Sequence, residues 1–163
     1  MATRTTHTIG TISHGTLRSE DLIPAFLDEL DDETAATIIA EYPEYEAASE
    51  DEDHEFWTSE EASWMVDALF DALNDVAPPF CYFGANEGDG SDYGFWPSLE
   101  SAREDEDVLQ VSDLAEVPDD ATGYVMLVND HGNVTLYEVQ IPAIGKHGFR
   151  RARNDLREVW SLV

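Results

Sequence analysis

Apolar residues recur along the first half of the chain at the three-to-four-residue spacing of helices, and along the second half with the alternation of strands. In SEDLIPAFLDEL, residues 19–30, the helical period is set by Leu22, Ile23, Phe26, Leu27 and Leu30, with Ser19 as a candidate N-cap. Pro24 falls inside this pattern and predicts a helix that starts near it or has a distorted first turn. DETAATIIAEY, residues 32–42, predicts a second short helix stopped by Tyr42-Pro43. The strongest helical signal is TSEEASWMVDALFDALNDVAPP, residues 58–79. Thr58 and Glu61 have capping-box spacing, and Trp64, Met65, Ala68, Leu69, Ala72, Leu73 and Val76 form one apolar stripe that Pro78-Pro79 ends. Between these helices YPEYEAASEDEDHEF, residues 42–56, has few apolar positions and reads as an exposed loop.

Strand signals follow. HTIGTI (7–12) predicts a weak first strand, FCYF (80–83) and VLQV (108–111) short buried ones, and REVWSLV (157–163) a last one. GYVMLVNDHGNVTLYEV, residues 123–139, reads as a hairpin turning at Asn129–Asn133. GKHGFRRARNDL (145–156) reads as a basic loop or short helix. Helices first and strands later predict a single α+β domain over residues 1–163, its N-terminal helices packed on one face of an antiparallel sheet formed mainly by the C-terminal half.

Charge changes this picture. The 163 residues carry 36 Asp and Glu against 8 Lys and Arg, a net charge of −28. Self-repulsion on that scale opposes compactness, so a purpose other than stability is expected to maintain it. Between Arg18 and Arg103 there are 24 acids and no Lys or Arg, whereas Lys146, Arg150, Arg151, Arg153 and Arg157 gather near the C-terminus. An anionic surface repels nucleic acid and acidic membranes, so neither is expected as a direct ligand. The N-terminal MATRTTHTIG lacks the apolar core of a signal peptide and no apolar run reaches membrane-spanning length, so a cytoplasmic location is expected.

Candidate chemistry is sparse. CYFGANEGDGSDYGFWP, residues 81–97, tests best against a calcium loop running 89–100: Asp89, Ser91, Gly94 and Glu100 take the first, third, sixth and twelfth places. Tyr93 at the fifth place supplies no carboxylate, and Trp96-Pro97 interrupts the exit helix. A phosphate cradle would need a lysine and a following helix, and its carboxylates would repel the phosphate. The expected reading is structural, with Gly84, Gly88, Gly90 and Gly94 supplying unusual backbone angles and the flanking aromatics anchoring a tight loop. The lone Cys81, between Phe80 and Tyr82, reads as a buried thiol. His7, His14, His54, His131 and His147 show no paired-ligand spacing, and His14 reads as a loop residue or one bonded to a carboxylate. Neither a catalytic set nor a cofactor or metal is expected.

What remains is the charge itself. Rows of carboxylates at helical spacing suit the Lys- and Arg-rich channels that bind nucleic acid. The expected partner-binding face comprises Asp28, Glu29, Asp31, Asp32 and Glu33; Glu50, Asp51, Glu52, Asp53 and Glu55; Asp67, Asp71 and Asp75; and Glu87, Asp89 and Asp92. Tyr42, Tyr45, Phe56 and Trp57 are candidate aromatic anchors at its edges. Two rival readings are salt adaptation, in which the charge serves solubility, and an acidic module binding a basic protein or pairing with itself through its basic segment.

HGTLRSEDLIPAFLDEL, FWTSEEASWMVDALFDAL and CYFGANEGDGSDYGFWP, spanning roughly residues 14–97, resemble small acidic proteins of unassigned activity carried on phages and plasmids. The charge, in composition alone, resembles DNA-mimic inhibitors of restriction and CRISPR systems. That resemblance implies a non-enzymatic inhibitor whose partner is the basic channel of a host defence nuclease or effector complex.

Overall fold

The computed structural model describes residues 7–140 and 155–163. It begins with β1 (Gly10–His14), followed by α1 (Ser19–Leu27), α2 (Asp32–Glu41) and α3 (Glu44–Ala48). A 3-10 turn at Glu55–Thr58 leads into α4 (Glu60–Asp75), and the hairpin of β2 (Cys81–Asn86) and β3 (Asp89–Pro97) closes this first part. The helix class and order follow the apolar spacing, but the caps differ from expectation. Ser19 is already helical and Arg18 takes the N-cap position without a side-chain bond. Ser59, one residue after Thr58, caps α4 by accepting from the Ala62 N–H at 3.2 Å. Pro24 lies inside α1 with its ring exposed, and α1 continues past it to Leu27.

The expected loop at 42–56 contains α3 and the start of the 3-10 turn. Its few apolar residues decide this: Ala48, Phe56 and Trp57 are buried, and Tyr45 meets both Phe56 and Trp57 edge-on. Proline at the start of α3 suits a helix entrance, where its missing N–H costs nothing.

Helices α1 and α4 pack together, and one core joins them to the hairpin. Ile23, Phe26, Met65, Leu69, Leu73 and Phe95 are fully buried in it. Phe26 presents edge-to-face contacts to Phe70, Phe83 and Tyr93 at 5.6, 4.9 and 5.9 Å. Burying each such side chain contributes about 1.5–3 kcal/mol, the main term holding an acid-rich chain compact.

The sheet of this part has the antiparallel order β1-β3-β2. Residues 81–97 are therefore two paired strands, Phe83 opposite Phe95 and Gly84 opposite Gly94, turning at Asn86–Asp89. The expectation of unusual glycine angles fails here, because the positive-φ glycines described are Gly10, Gly15, Gly123 and Gly132. Gly94 is needed for a different reason: a Cβ there would sit 2.0 Å from the Gly10 carbonyl oxygen on β1. At the outer edge of the sheet, Asn74 near the end of α4 replaces a neighbouring strand. Its Oδ1 accepts from the Phe83 N–H at 2.9 Å, and its amide donates to the Phe83 carbonyl at 3.1 Å.

By contacts the chain groups into two compact units, Met1–Pro97 and Ser98–Val163, where the sequence leads one to expect a single domain. The second contains α5 (Leu99–Glu104), β4 (Val108–Val111), β5 (Tyr124–Val128), β6 (Val134–Gln140) and β7 (Asp155–Leu162). Its sheet has the order β4-β5-β6-β7, with β4 and β5 parallel and the other pairs antiparallel. Val125, Met126 and Leu136 are fully buried in it. The β5–β6 turn forms as expected, with Asn129 Oδ1 accepting from the His131 and Asn133 N–H groups and Gly132 at φ +83°. Of the basic segment, residues 145–154 lie outside the described residues, while Asp155 and Leu156 open β7. The α+β class stands, with helices gathered N-terminally and β4–β7 in the C-terminal half.

Candidate acidic face

The outward side of α4 is determined by what its inward side buries. Ala62, Met65, Leu69 and Leu73 point into the core, so Glu60, Trp64, Asp67, Asp71 and Asp75 share the opposite face. Asp67, Asp71 and Asp75 are all exposed. A four-residue step advances about 6 Å along the axis, which sets the three carboxylates in a row. Trp64, expected in the apolar stripe, instead heads this row with 56% of its surface exposed. Val76, just past the helix end, is exposed as well.

All sixteen acids expected to bind a partner lie within Met1–Pro97. Asp28, Asp31, Asp32 and Glu33 are exposed around the α1–α2 corner, as are Glu50, Asp51, Glu52, Asp53 and Glu55 before α4. Glu29 is half-buried, 3.5 Å from His7 Nδ1. Asp31 also builds the fold: Oδ1 accepts from the Glu33 and Thr34 N–H groups at 3.1 and 3.0 Å, capping α2. The bonds from Thr34 hold its carboxyl below the ordinary range, the backbone one first.

The expected aromatic anchors are mostly spent on the core. Phe56 and Trp57 are buried, and the Trp57 indole donates to the Asp51 carbonyl at 3.0 Å. Tyr42 and Tyr45 are half-buried. Burial raises the Tyr42 phenol above its ordinary range, with the charges of Glu41, Asp67 and Glu61 adding to the shift. Burial likewise raises Tyr45, with Asp28 contributing.

On the β2–β3 hairpin, Glu87 and Asp89 are exposed and Asp92 is half-buried. Asp89 Oδ1 accepts from the Ser91 N–H and hydroxyl at 2.9 and 2.8 Å, while Oδ2 meets His14 Nε2 at 3.1 Å. The calcium arrangement over 89–100 fails on this geometry. Residues 89–97 form a strand, Tyr93 packs against the core, and Glu100 belongs to α5 in the other unit. Asp92 is the odd one, with a buried Oδ1 that has no hydrogen-bond partner. Among the described residues no group of three or more His, Cys, Asp or Glu is placed to hold a metal ion. Burial pushes the Cys81 thiol up to about 12.

Two grooves flank the helices. One, of about 500 Å³, is lined by Glu44, Glu55, Glu60, Glu61, Phe56 and Trp64. The other, of about 360 Å³, has apolar walls from Leu27, Leu30 and Ile39 with Asp28 and Asp32 among its lining residues. Among the described residues of the first unit Arg18 is the one Lys or Arg, and it is bound to Glu20; within the second unit Arg157 is bound to Glu138 on the neighbouring strand. Lys146, Arg150, Arg151 and Arg153 lie outside the described residues. Among the described residues no helix is long and apolar enough to cross a membrane. Comparison with family models, curated proteins and solved structures finds no match to the chain.

Proposed function

We propose that this protein is a non-enzymatic inhibitor whose acidic unit occupies the basic nucleic-acid-binding channel of a host defence nuclease or effector complex. One observation carries the reading. Thirteen of the sixteen acids, from Asp28 to Glu87, are exposed and have no ion-pair partner among the described residues. Duplex DNA carries one charge per about 3.4 Å of axis on each strand, against one per about 6 Å along the α4 row. The row alone is thus sparser than a strand of DNA, and the neighbouring acids must add to it for a channel to accept the surface. Retaining so much unpaired charge weakens the compact state, which favours a use in binding.

The test is capture by the tagged protein from host lysate at low salt, with and without excess duplex DNA. A nuclease or effector component that DNA displaces, and that Asp67→Lys, Asp71→Lys and Asp75→Lys together fail to capture, is the expected result. Absence of any DNA-displaced partner, with a fold that tightens only in molar salt, overturns inhibition and leaves salt adaptation.

A further inference from the structure

Trp64 is the one feature of the acidic face that charge does not explain. An indole 56% exposed on a helix contributes little to folding, and this one lies among carboxylates rather than in an apolar patch. Its groove has walls from three separate pieces of the chain: Glu44 on α3, Glu55 on the 3-10 turn, and Glu60 and Glu61 in the first turn of α4. Phe56 beneath the groove is fully buried, so the indole is the aromatic surface the groove offers. The indole N–H has no hydrogen-bond partner among the described residues, unlike those of Trp57 and Trp96, which donate to the Asp51 and Gly84 carbonyls.

This chemistry selects its occupant. An anion is repelled by four carboxylates, and an uncharged apolar group would strip water from them without repayment. A bare metal ion would leave the indole unused. A group that is cationic, planar and able to donate to carboxylates satisfies every wall at once. The arginine guanidinium has all three properties: it stacks on an aromatic face while its fork of N–H groups bonds carboxylates in pairs. Lysine, a compact and strongly hydrated charge, matches less well.

We infer that the groove around Trp64 is a receptor for an arginine side chain presented by the basic partner. The inference rests on the acidic-face reading and names the contact that gives that face specificity beyond charge. The surrounding acids draw the partner in, and Trp64 discriminates arginine from lysine.

Hexaarginine and hexalysine peptides, titrated into the ¹⁵N-labelled full chain, test it. The Trp64 indole resonance, assigned by its loss in Trp64→Phe, is expected to move furthest of the four indole signals. Hexaarginine binding should weaken about fivefold in Trp64→Ala and much less in Trp64→Phe, with hexalysine nearly indifferent to either change. Circular dichroism confirms that the variants fold. Equal hexaarginine binding by the parent chain and Trp64→Ala overturns the receptor. If Asp67→Lys, Asp71→Lys and Asp75→Lys together still weaken binding in that case, the acidic-face reading survives alone. Hexaarginine that fails to bind the parent chain at about 0.15 M salt overturns both.

Discussion

The two faces of α4 divide the work of this molecule. The inward face, with Met65, Leu69 and Leu73, is continuous with the core that α1 and the β2–β3 hairpin share. The outward face, with Trp64, Asp67, Asp71 and Asp75, makes no comparable packing and brings like charges to neighbouring turns. Removing the first face dissolves the fold, whereas removing the charge from the second relieves it. A helix needs only its inward face to exist here, so the residues of the outward one are not dictated by packing. The hairpin repeats the division on a smaller scale, where Phe83 and Phe95 hold it to the core and Glu87 and Asp89 face solvent.

The contrast is broken most severely from inside. Leu69→Ala is expected to cost about 2–5 kcal/mol, read as a lowered midpoint of urea unfolding with an unchanged slope. Asn74→Ala comes next, because it leaves the Phe83 N–H at the edge of the sheet without its partner. About 1–3 kcal/mol should be lost, and the uncovered β2 edge should raise self-association, visible by light scattering. Replacing Asp67, Asp71 and Asp75 together by Asn works in the opposite direction. Two like-charge i,i+4 pairs disappear, so stability should rise by about 0.4–1 kcal/mol at low ionic strength. Thermal unfolding in molar salt should show no such gain, since screening has already removed the repulsion. A destabilised variant at low salt would show that the outward row supports the fold after all.

Much of the inward face was legible in the sequence, and little of the outward one. Leu22, Phe26, Met65, Leu69 and Leu73 recur at helical spacing, and that period alone places them in the core. Trp64 defeats the same rule, because hydrophobicity assigned it to the stripe. The carboxylate spacing held the correction, since Trp64 stands three residues before Asp67 and seven before Asp71, the positions of one helical face. Phe56 and Trp57 were hidden in the reverse sense: a run of acids masks the two aromatics that pull the chain back to the core. Residues 81–97 misled through their glycines. Turn chemistry is the commoner use of glycine, but at Gly94 the constraint is the approach of β1, which only the paired strands reveal. The charges that act on Tyr42 were legible only in part, because Glu41 precedes it in the chain but Glu61 and Asp67 come near it through the packing of α2 on α4.

The smallest expected effect concerns the two carboxylates that serve both fold and surface. Asp31 and Asp89 are exposed like the outward row, yet each is held by hydrogen bonds, from Thr34 and from Ser91 respectively, with His14 adding to the second. These bonds favour the ionised form and lower both values below the ordinary 3.8 of an aspartate. The stabilisation is therefore complete above pH 3.8 and is lost as pH falls through the lower folded values. Asn at both positions keeps an oxygen that accepts the same N–H bonds but does not titrate. Thermal unfolding between about pH 2 and 6 should give the parent chain a steeper decline below its aspartates' ordinary range than Asp31→Asn with Asp89→Asn. The other carboxylates titrate in both proteins and cancel from the difference. Parallel curves would mean that neither bond favours the charged form, and Asp31 and Asp89 would then belong with Asp67, Asp71 and Asp75 as charge that the fold merely tolerates.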